Sequence, residues 1–403
     1  MNLLKEGIEQ GFVIKTEATK KLVIDGLSDL YPVYKVRINH LFYNNQNDRI
    51  ATWISEYETK HSCTLEIEKD KEQYNSIIHE FITKSKEDKL KETQFNISLF
   101  GQQEAGVVLS DGRVIDGNRR FTCLRNLAKN SDNFSYFETV ILDKNYEQNE
   151  KQIKMLELQI QIGKEERVDY DPIDKLVGLY RDVELKRLLT VEEYGRSTNM
   201  KVPTVKKELE VANLMVEFLE LINAPGQYYI ARDLKLDGPL RELQRILKKI
   251  HNEDKREDFK NIAFTNMLMC PSKDLTRHIR KLATIAESKY ADEFVESELE
   301  TAEDVINSLP AEGKVNNDSI SLLRGNSAIN EKLNRTMEKF DNKAKISKSK
   351  NQPLQFMKKA IDNLSSVDLE IVKRLNEDQK SELMDSLEEI DGLLSDLKEN
   401  LNV

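Results

Sequence analysis

The sequence predicts an α+β protein, a sheet-bearing N-terminal part followed by a long helical remainder. Three observations carry this. From Tyr34 to about Leu142 short β-branched runs alternate with helical stretches. From about Gln148 to Ser288 strand signals vanish and apolar residues recur at helical spacing. Composition adds a third, since 33% of the 403 residues are charged while only 15 are Gly and 8 are Pro, a balance poor in turn-makers that favours helix.

Taken in order, the start from Met1 to Lys20 alternates charge with short apolar runs and has no core of signal-peptide length. No run of about 20 apolar residues occurs anywhere, so a cytoplasmic chain with no membrane partner is expected. Strands are expected at Val33 to Ile38, Gly106 to Leu109, Val114-Ile115 and Thr139 to Leu142, with helices over Tyr74 to Lys84 and Arg119 to Leu127. In the helical part Ile173, Leu176, Val177, Tyr180 and Val183 mark one face, and Val205, Leu209, Ala212, Leu214 and Phe218 another. Leu309-Pro310-Ala311-Glu312-Gly313 is a helix break, and the Lys-rich, Asn/Ser-rich segment Phe340 to Pro353 reads as a mobile linker. In the tail Leu383, Leu387, Ile390, Leu394, Leu397 and Leu401 are spaced as the seam of a coiled coil, equally the stripe of a helix packed on its own domain. The expected divisions are therefore 1–147, 148–290, a linker region over 291–353 that is acidic and then Lys-rich, and a helical oligomerisation region over 354–403.

Three cysteines (Cys63, Cys123, Cys270) lie far apart and form no CxxC pair, so they read as reduced, mostly buried thiols. The five histidines do not cluster at ligand spacing, and no metal site is expected from them.

The most informative segment runs from Gly106 to Leu127. Val107 to Leu109 is an apolar strand, Ser110-Asp111-Gly112 a hairpin turn and Arg113-Val114-Ile115 the return strand. Asp116-Gly117 ends that strand, and Phe121, Leu124 and Leu127 then fall on one helical face, with Asp116 or Asn118 placed to cap it. A glycine thus sits where a strand feeds a helix N-terminus. Such a start offers unpaired N–H groups and partial positive charge, and Arg119 and Arg120 add bidentate donors, so an oxyanion cradle is expected in which the bare Gly117 lets an anion approach.

Strand, Asp-Gly hairpin, strand, then Asp116-Gly117-Asn118-Arg119-Arg120 opening a helix resembles the signature of the ParB/sulfiredoxin superfamily, whose Gly-x-Arg-Arg turn holds nucleotide phosphates. Upstream, Val36 to Leu41 followed by Asn44-Asn45-Gln46-Asn47-Asp48-Arg49 is similar to the family's opening strand and its Asn-rich segment ending in arginine. Downstream, Arg167-Val-Asp-Tyr-Asp-Pro172 resembles the ParB segment leading into a DNA-binding domain, and Leu189 to Gly195 with Met200 to Leu209 reads as a helix-turn-helix. Thr190 and Glu193 form a capping box there. The resemblance covers about residues 33 to 222, and Ser62 to Lys71 looks like an insertion within it.

The resemblance implies a ParB/sulfiredoxin-like nucleotide-binding domain, a predominantly helical DNA-binding domain and a homodimer. Asp116, Gly117, Asn118, Arg119, Arg120, Arg49 and Arg167 would hold CTP or ATP, with Mg2+ as a companion, and Lys201, Thr204, Lys206 and Lys207 would meet duplex DNA. Sulfiredoxin chemistry needs a cysteine directly after the glycine, where this chain has Asn118, so reductase activity is not expected. The Glu-Asn pair of CTP-hydrolysing relatives is replaced by Gly163-Lys164-Glu165-Glu166, so Glu165 or Glu166 would position water or magnesium if the nucleotide is hydrolysed. Two other readings stay open: an enzyme on the same scaffold, a nuclease or a nucleotide-dependent kinase as in anti-phage defence, and an interaction protein with a vestigial N-terminal scaffold.

Charge at first argues against nucleic acid, with 61 basic and 71 acidic residues and a net of −10. Residues 361–403, however, hold 12 acidic and 4 basic residues, which accounts for −8 of it. Lys186 to Lys207 carries a local +4 and residues 320–360 a local +7, where a second DNA contact and a solvated linker are equally open.

Overall fold

The computed structural model describes residues 2–24, 27–67, 70–144, 146–162 and 171–401. It is an α+β protein that divides into two compact units, Met1–Phe340 and Asp341–Val403.

The sheet has six strands: β1 (Val13–Ile24), β2 (Leu27–Arg37), β3 (Phe42–Tyr43), β4 (Gly106–Leu109), β5 (Arg113–Asp116) and β6 (Tyr136–Leu142), in the spatial order β1-β2-β6-β4-β5-β3. The β4/β6 and β3/β5 pairs are parallel and the others antiparallel. Side chains alternate across β4 and β5, so Val108 and Val114 pack on one face of the sheet and Val107, Leu109 and Ile115 on the other. On the first face lie α2 (Lys71–Ser85), α3 (Glu87–Phe100) and α4 (Asn118–Ala128), which bring Ile78, Phe81, Leu90, Ile97, Phe121 and Leu124. The second face is covered by Ile153 and Leu156 of α5 (Tyr146–Ile162). The β4–β5 turn needs glycine: Gly112 has φ +97, and a Cβ there would stand 2.6 Å from the His40 carbonyl oxygen.

The four expected strands and two expected helices all form. The sequence reading missed β1, whose charged residues hide a 12-residue strand at the sheet edge, together with α1 (Ala51–His61) and α3. Edge strands exposed on both sides lose the apolar alternation on which pattern recognition depends.

The helical part comprises α6 (Pro172–Tyr180), α7 (Val191–Thr198), α8 (Val202–Leu221), α9 (Tyr228–Asp233), α10 (Asp237–Leu247), α11 (Glu253–Met269), α12 (Leu275–Ala286), α13 (Ala291–Asn307), α14 (Asn317–Arg324) and the long α15 (Ser327–Ser365). One core joins these helices apart from α7, from Ile173 on α6 to Phe340 on α15. The expected boundary at 290 and the linker over 291–353 are therefore corrected. Phe294, Val305, Val315, Ile320, Leu333 and Met337 are buried in that core, and the Lys-rich stretch from Phe340 is helix. Lys345, Lys348 and Ser349 are exposed along α15, a solvation that composition alone does not distinguish from a linker. The break at Leu309 to Gly313 is real but tied down, since Gly313 N donates to Asn223 O (3.0 Å) and Asn223 Nδ2 to Pro310 O (3.1 Å).

In the second unit α16 (Leu369–Val372) is a single turn and α17 (Glu377–Asn400) carries the apolar seam. An Asn376 capping box starts α17 afresh, so α16 and α17 are separate helices. Of the cysteines only Cys123 is buried; Cys63 is exposed and Cys270 intermediate.

Glu298 on α13 is 1% exposed and forms no ion pair with a described residue. Burial pushes its carboxyl up to about 7. A carboxyl raised in the folded state contributes stability below its unfolded value, and that contribution is lost as pH rises through about 7. Glu298→Gln is expected to raise stability at pH 8 by about 1–3 kcal/mol and to change it little at pH 4, as thermal melts at the two pH values would show.

Candidate functional site

Strand β5 reaches α4 through Gly117, at φ +96 and ψ 17, a left-handed conformation that favours glycine. A Cβ there would stand 2.9 Å from Phe137 Cζ, 3.3 Å from Arg120 Nη2 and 3.4 Å from Gly106 Cα. Protein fills the space beside this glycine. Its bareness serves the strand-to-helix turn and not, as the sequence suggested, the approach of an anion.

Successive helical residues diverge by about 100°, and the two arginines that follow part company. Arg120 turns toward the sheet, where its guanidinium pairs with Glu104 and with Asp116 (3.2 Å), and Lys20 stands 4.0 Å from the same Asp116. Arg119 turns the other way, into a pocket that Arg49 and Asn118 also line. Arg119 forms no hydrogen bond or ion pair with any described residue. Burial, and then the neighbouring Arg49 charge, hold it below its ordinary value. Such a guanidinium lacks an anion. Of the expected cradle, Arg49, Asn118 and Arg119 come together, whereas Asp116, Gly117 and Arg120 form the structural turn behind them. Glu165, Glu166 and Arg167 lie outside the described residues.

The pocket's other walls come from further along the chain. Trp53 on α1 stacks with Arg232 of α9, whose guanidinium carbon lies 4.2 Å from the indole centroid. Arg232 also donates to Thr52 Oγ1 (3.1 Å), Glu56 (2.9 Å) and Asp233 (2.9 Å). Asp171 caps α6 by accepting from Ile173 N (2.9 Å), and Asp174 accepts from Thr52 N (2.9 Å). Burial pushes Asp174 up to about 7. These two carboxylates are oxygen ligands of the kind magnesium takes. Trp53, Asp174 and Arg232 escaped the sequence reading because only the packing of α6 and α9 on α1 brings them to the pocket.

Arg49 is held in place from behind. It belongs to a 3₁₀ turn, Asp48–Ile50, capped by the Asn47 side chain. Its neighbour Asp48 is 4% exposed and receives Lys154 Nζ at 2.8 and 2.9 Å, with the Arg181 guanidinium on the same carboxylate. Lys154 also meets Asp182 at 3.3 Å and Glu157 at 3.9 Å. Burial alone would lower Lys154, but the three carboxylates, Asp48 foremost, hold it above its ordinary value. Burial pushes Glu157 up to about 7 and Asp182 up to about 6. A Cβ on Gly178 of α6 would stand 2.6 Å from Asp48 Cγ, so this glycine leaves room for the knot. The knot ties the 44–50 segment to α5, α6 and the turn before α7.

The segment expected as a helix-turn-helix forms two helices, α7 and α8, joined by a turn and packed around Leu158, Leu179, Leu189, Tyr194, Val205 and Leu209. The Thr190–Glu193 capping box is present, and Asn199 turns the chain at φ 52. Gly195 permits the close crossing, since a Cβ would lie 2.8 Å from Met200 O. Lys201, Thr204, Lys206 and Lys207 are all exposed around the start of α8, and none of the three lysines forms an ion pair with a described residue. Farther along, Glu208 is bound by Arg241 and Glu210 by Lys248. Along α8, the basic side chains without an ion pair to a described residue thus lie at its start, and these two acidic ones farther along are matched.

No helix among the described residues is long and apolar enough to cross a membrane. No protein-family model matches the chain, and no curated protein matches it.

Proposed function

We propose that the chain is a ParB-like, nucleotide-dependent DNA-binding protein of the cytoplasm, acting as a homodimer. Arg49 and Arg119 receive the phosphates of a nucleoside triphosphate, CTP or ATP, and α8 presents Lys201, Thr204, Lys206 and Lys207 to duplex DNA. The observation that carries the reading is Arg119, a half-buried guanidinium beside a second arginine with no carboxylate of its own. A magnesium ion accompanying the phosphates would find ligands in Asp171 and Asp174.

Filter binding of duplex DNA across a salt series, with and without CTP or ATP, tests the reading. Salt-steep, nucleotide-sensitive binding is expected, and no binding at low salt would contradict it. Lys206→Gln with Lys207→Gln should weaken binding across all sequences and reduce the slope of log K against log salt by about 2, since each lysine releases about one counterion.

A further inference from the structure

Away from α7 and the pocket, one carboxylate holds two arginines at the surface. Helices α10 and α12 run parallel, since Gly238 lies against Thr276, Glu242 meets Arg280 and Lys249 meets Glu287, each pair at the same separation along the chain. Glu242, 9% exposed, accepts from Arg280 Nη2 (2.8 Å) and, one turn along its own helix, from Arg245 Nη1 (3.1 Å), both on Oε1. Both arginine side chains are 59% exposed, so two forks of N–H donors stand in solvent with one negative charge between them. The other cations of α10 each have a carboxylate of their own: Arg241 has Glu208 and Asp237, Lys248 has Glu210, and Lys249 has Glu287. On α12, Asp274 is engaged as the cap, accepting from Arg277 N (2.9 Å), while the exposed Arg277 side chain forms no ion pair with a described residue.

Helical periodicity fixes where the pair stands. On α10, Arg241, Gln244 and Lys248 reach α8 at Glu208 and Glu210, whereas Glu242 and Lys249 reach α12. Arg245 falls on the outward ridge between these two stripes. It therefore adjoins the first turns of α8, where the exposed Lys206 and Lys207 directly precede Glu208. Packed helices lie about 8–10 Å apart, a spacing comparable with the ~12 Å width of the major groove that a recognition helix enters. We propose that Arg245 and Arg280 form a second phosphate contact, gripping the DNA backbone beside the groove that α8 enters, with Glu242 presenting both guanidiniums. This rests on the reading of α8 as a DNA-binding helix and adds a contact outside it. Phosphates carry no base identity, so the pair sets affinity and orientation and leaves sequence preference to α8.

Filter binding of duplex DNA by the full chain across a salt series tests this in a Glu242→Gln background, which leaves no orphaned carboxylate when the arginines are removed. Adding Arg245→Gln and Arg280→Gln to that background should reduce the slope of log K against log salt by about 2, since each arginine releases about one counterion, and weaken binding to all sequences alike. Lys248→Gln with Lys249→Gln removes the same charge from the same helix, yet both lysines are occupied by carboxylates, so the slope should stay that of the wild type. An unchanged slope on removal of the arginines, or an equal reduction on removal of the lysines, would overturn the inference while the reading of α8 stood on Lys206→Gln with Lys207→Gln. A wild type that binds no DNA at low salt would remove that reading as well.

Discussion

Replacing Arg119 with alanine is expected to lower nucleotide affinity roughly 10- to 100-fold without lowering stability, because a charge-assisted contact to phosphate is worth about 1.5–3 kcal/mol. The stability half of this expectation is the more discriminating. Arg119 sits half-buried beside Arg49 with no acidic partner, so its removal relieves repulsion and returns no buried acid to solvent. Its neighbour behaves oppositely. Arg120 is spent on Asp116 and Glu104, and Arg120→Ala leaves the largely buried Asp116 short of a partner. That variant should lose about 1–3 kcal/mol of stability and keep most of its nucleotide affinity. Titration calorimetry and thermal melts on both variants separate the roles, and equal affinity losses in both would return Arg120 to the pocket.

Lys154→Met should have the largest effect on stability. The ammonium lies among Asp48, Asp182 and Glu157, all nearly inaccessible, and removing one partner of a buried ionic cluster costs about 3–5 kcal/mol. Loss of the lysine leaves Arg181 as the one described cation beside these three carboxylates and raises their proton affinity further. Glu157 and Asp182 already stand at about 7 and about 6, so protonation on acidification relieves the variant. The deficit against wild type should therefore be greatest at pH 8 and shrink toward pH 5, as denaturant unfolding at the two pH values would show. Since Asp48 precedes Arg49, the same variant should weaken nucleotide binding at temperatures where it remains folded. A deficit independent of pH would mean that the lysine acts through packing alone.

Much of the sheet was legible because β4, β5 and β6 contain short apolar runs, the first two separated by an Asp-Gly turn, and Gly117 announced the strand-to-helix turn. The helices α7 and α8 and the turn between them were legible for a similar reason, as Thr190, Glu193 and Val205 satisfy local capping and periodicity rules that tertiary contacts did not override. The site was legible only in part. Sequence adjacency suggested that Arg119 and Arg120 act together, but helical geometry sends them to opposite sides, and only packing supplies the acids that claim Arg120. Arg232 meets Trp53 across 179 positions by way of α9, a separation that no local pattern encodes. Lys154 and Asp48 look like solvated surface charges in the sequence, and their burial follows from α5 covering one face of the sheet. The Lys-rich end of the expected linker misled because composition reports solvation and not secondary structure.

The most direct measurement exploits the chain's single tryptophan, Trp53, which lines the pocket with Arg49 and Arg119. Its fluorescence, followed during titration with CTP and with ATP in the wild type and in Arg119→Ala, reports occupancy of this pocket and of no other. A saturable change in the wild type that moves to much higher nucleotide concentration in Arg119→Ala is the predicted result. An unresponsive Trp53, or an identical titration in the two proteins, would contradict the assignment of this pocket to nucleotide phosphate.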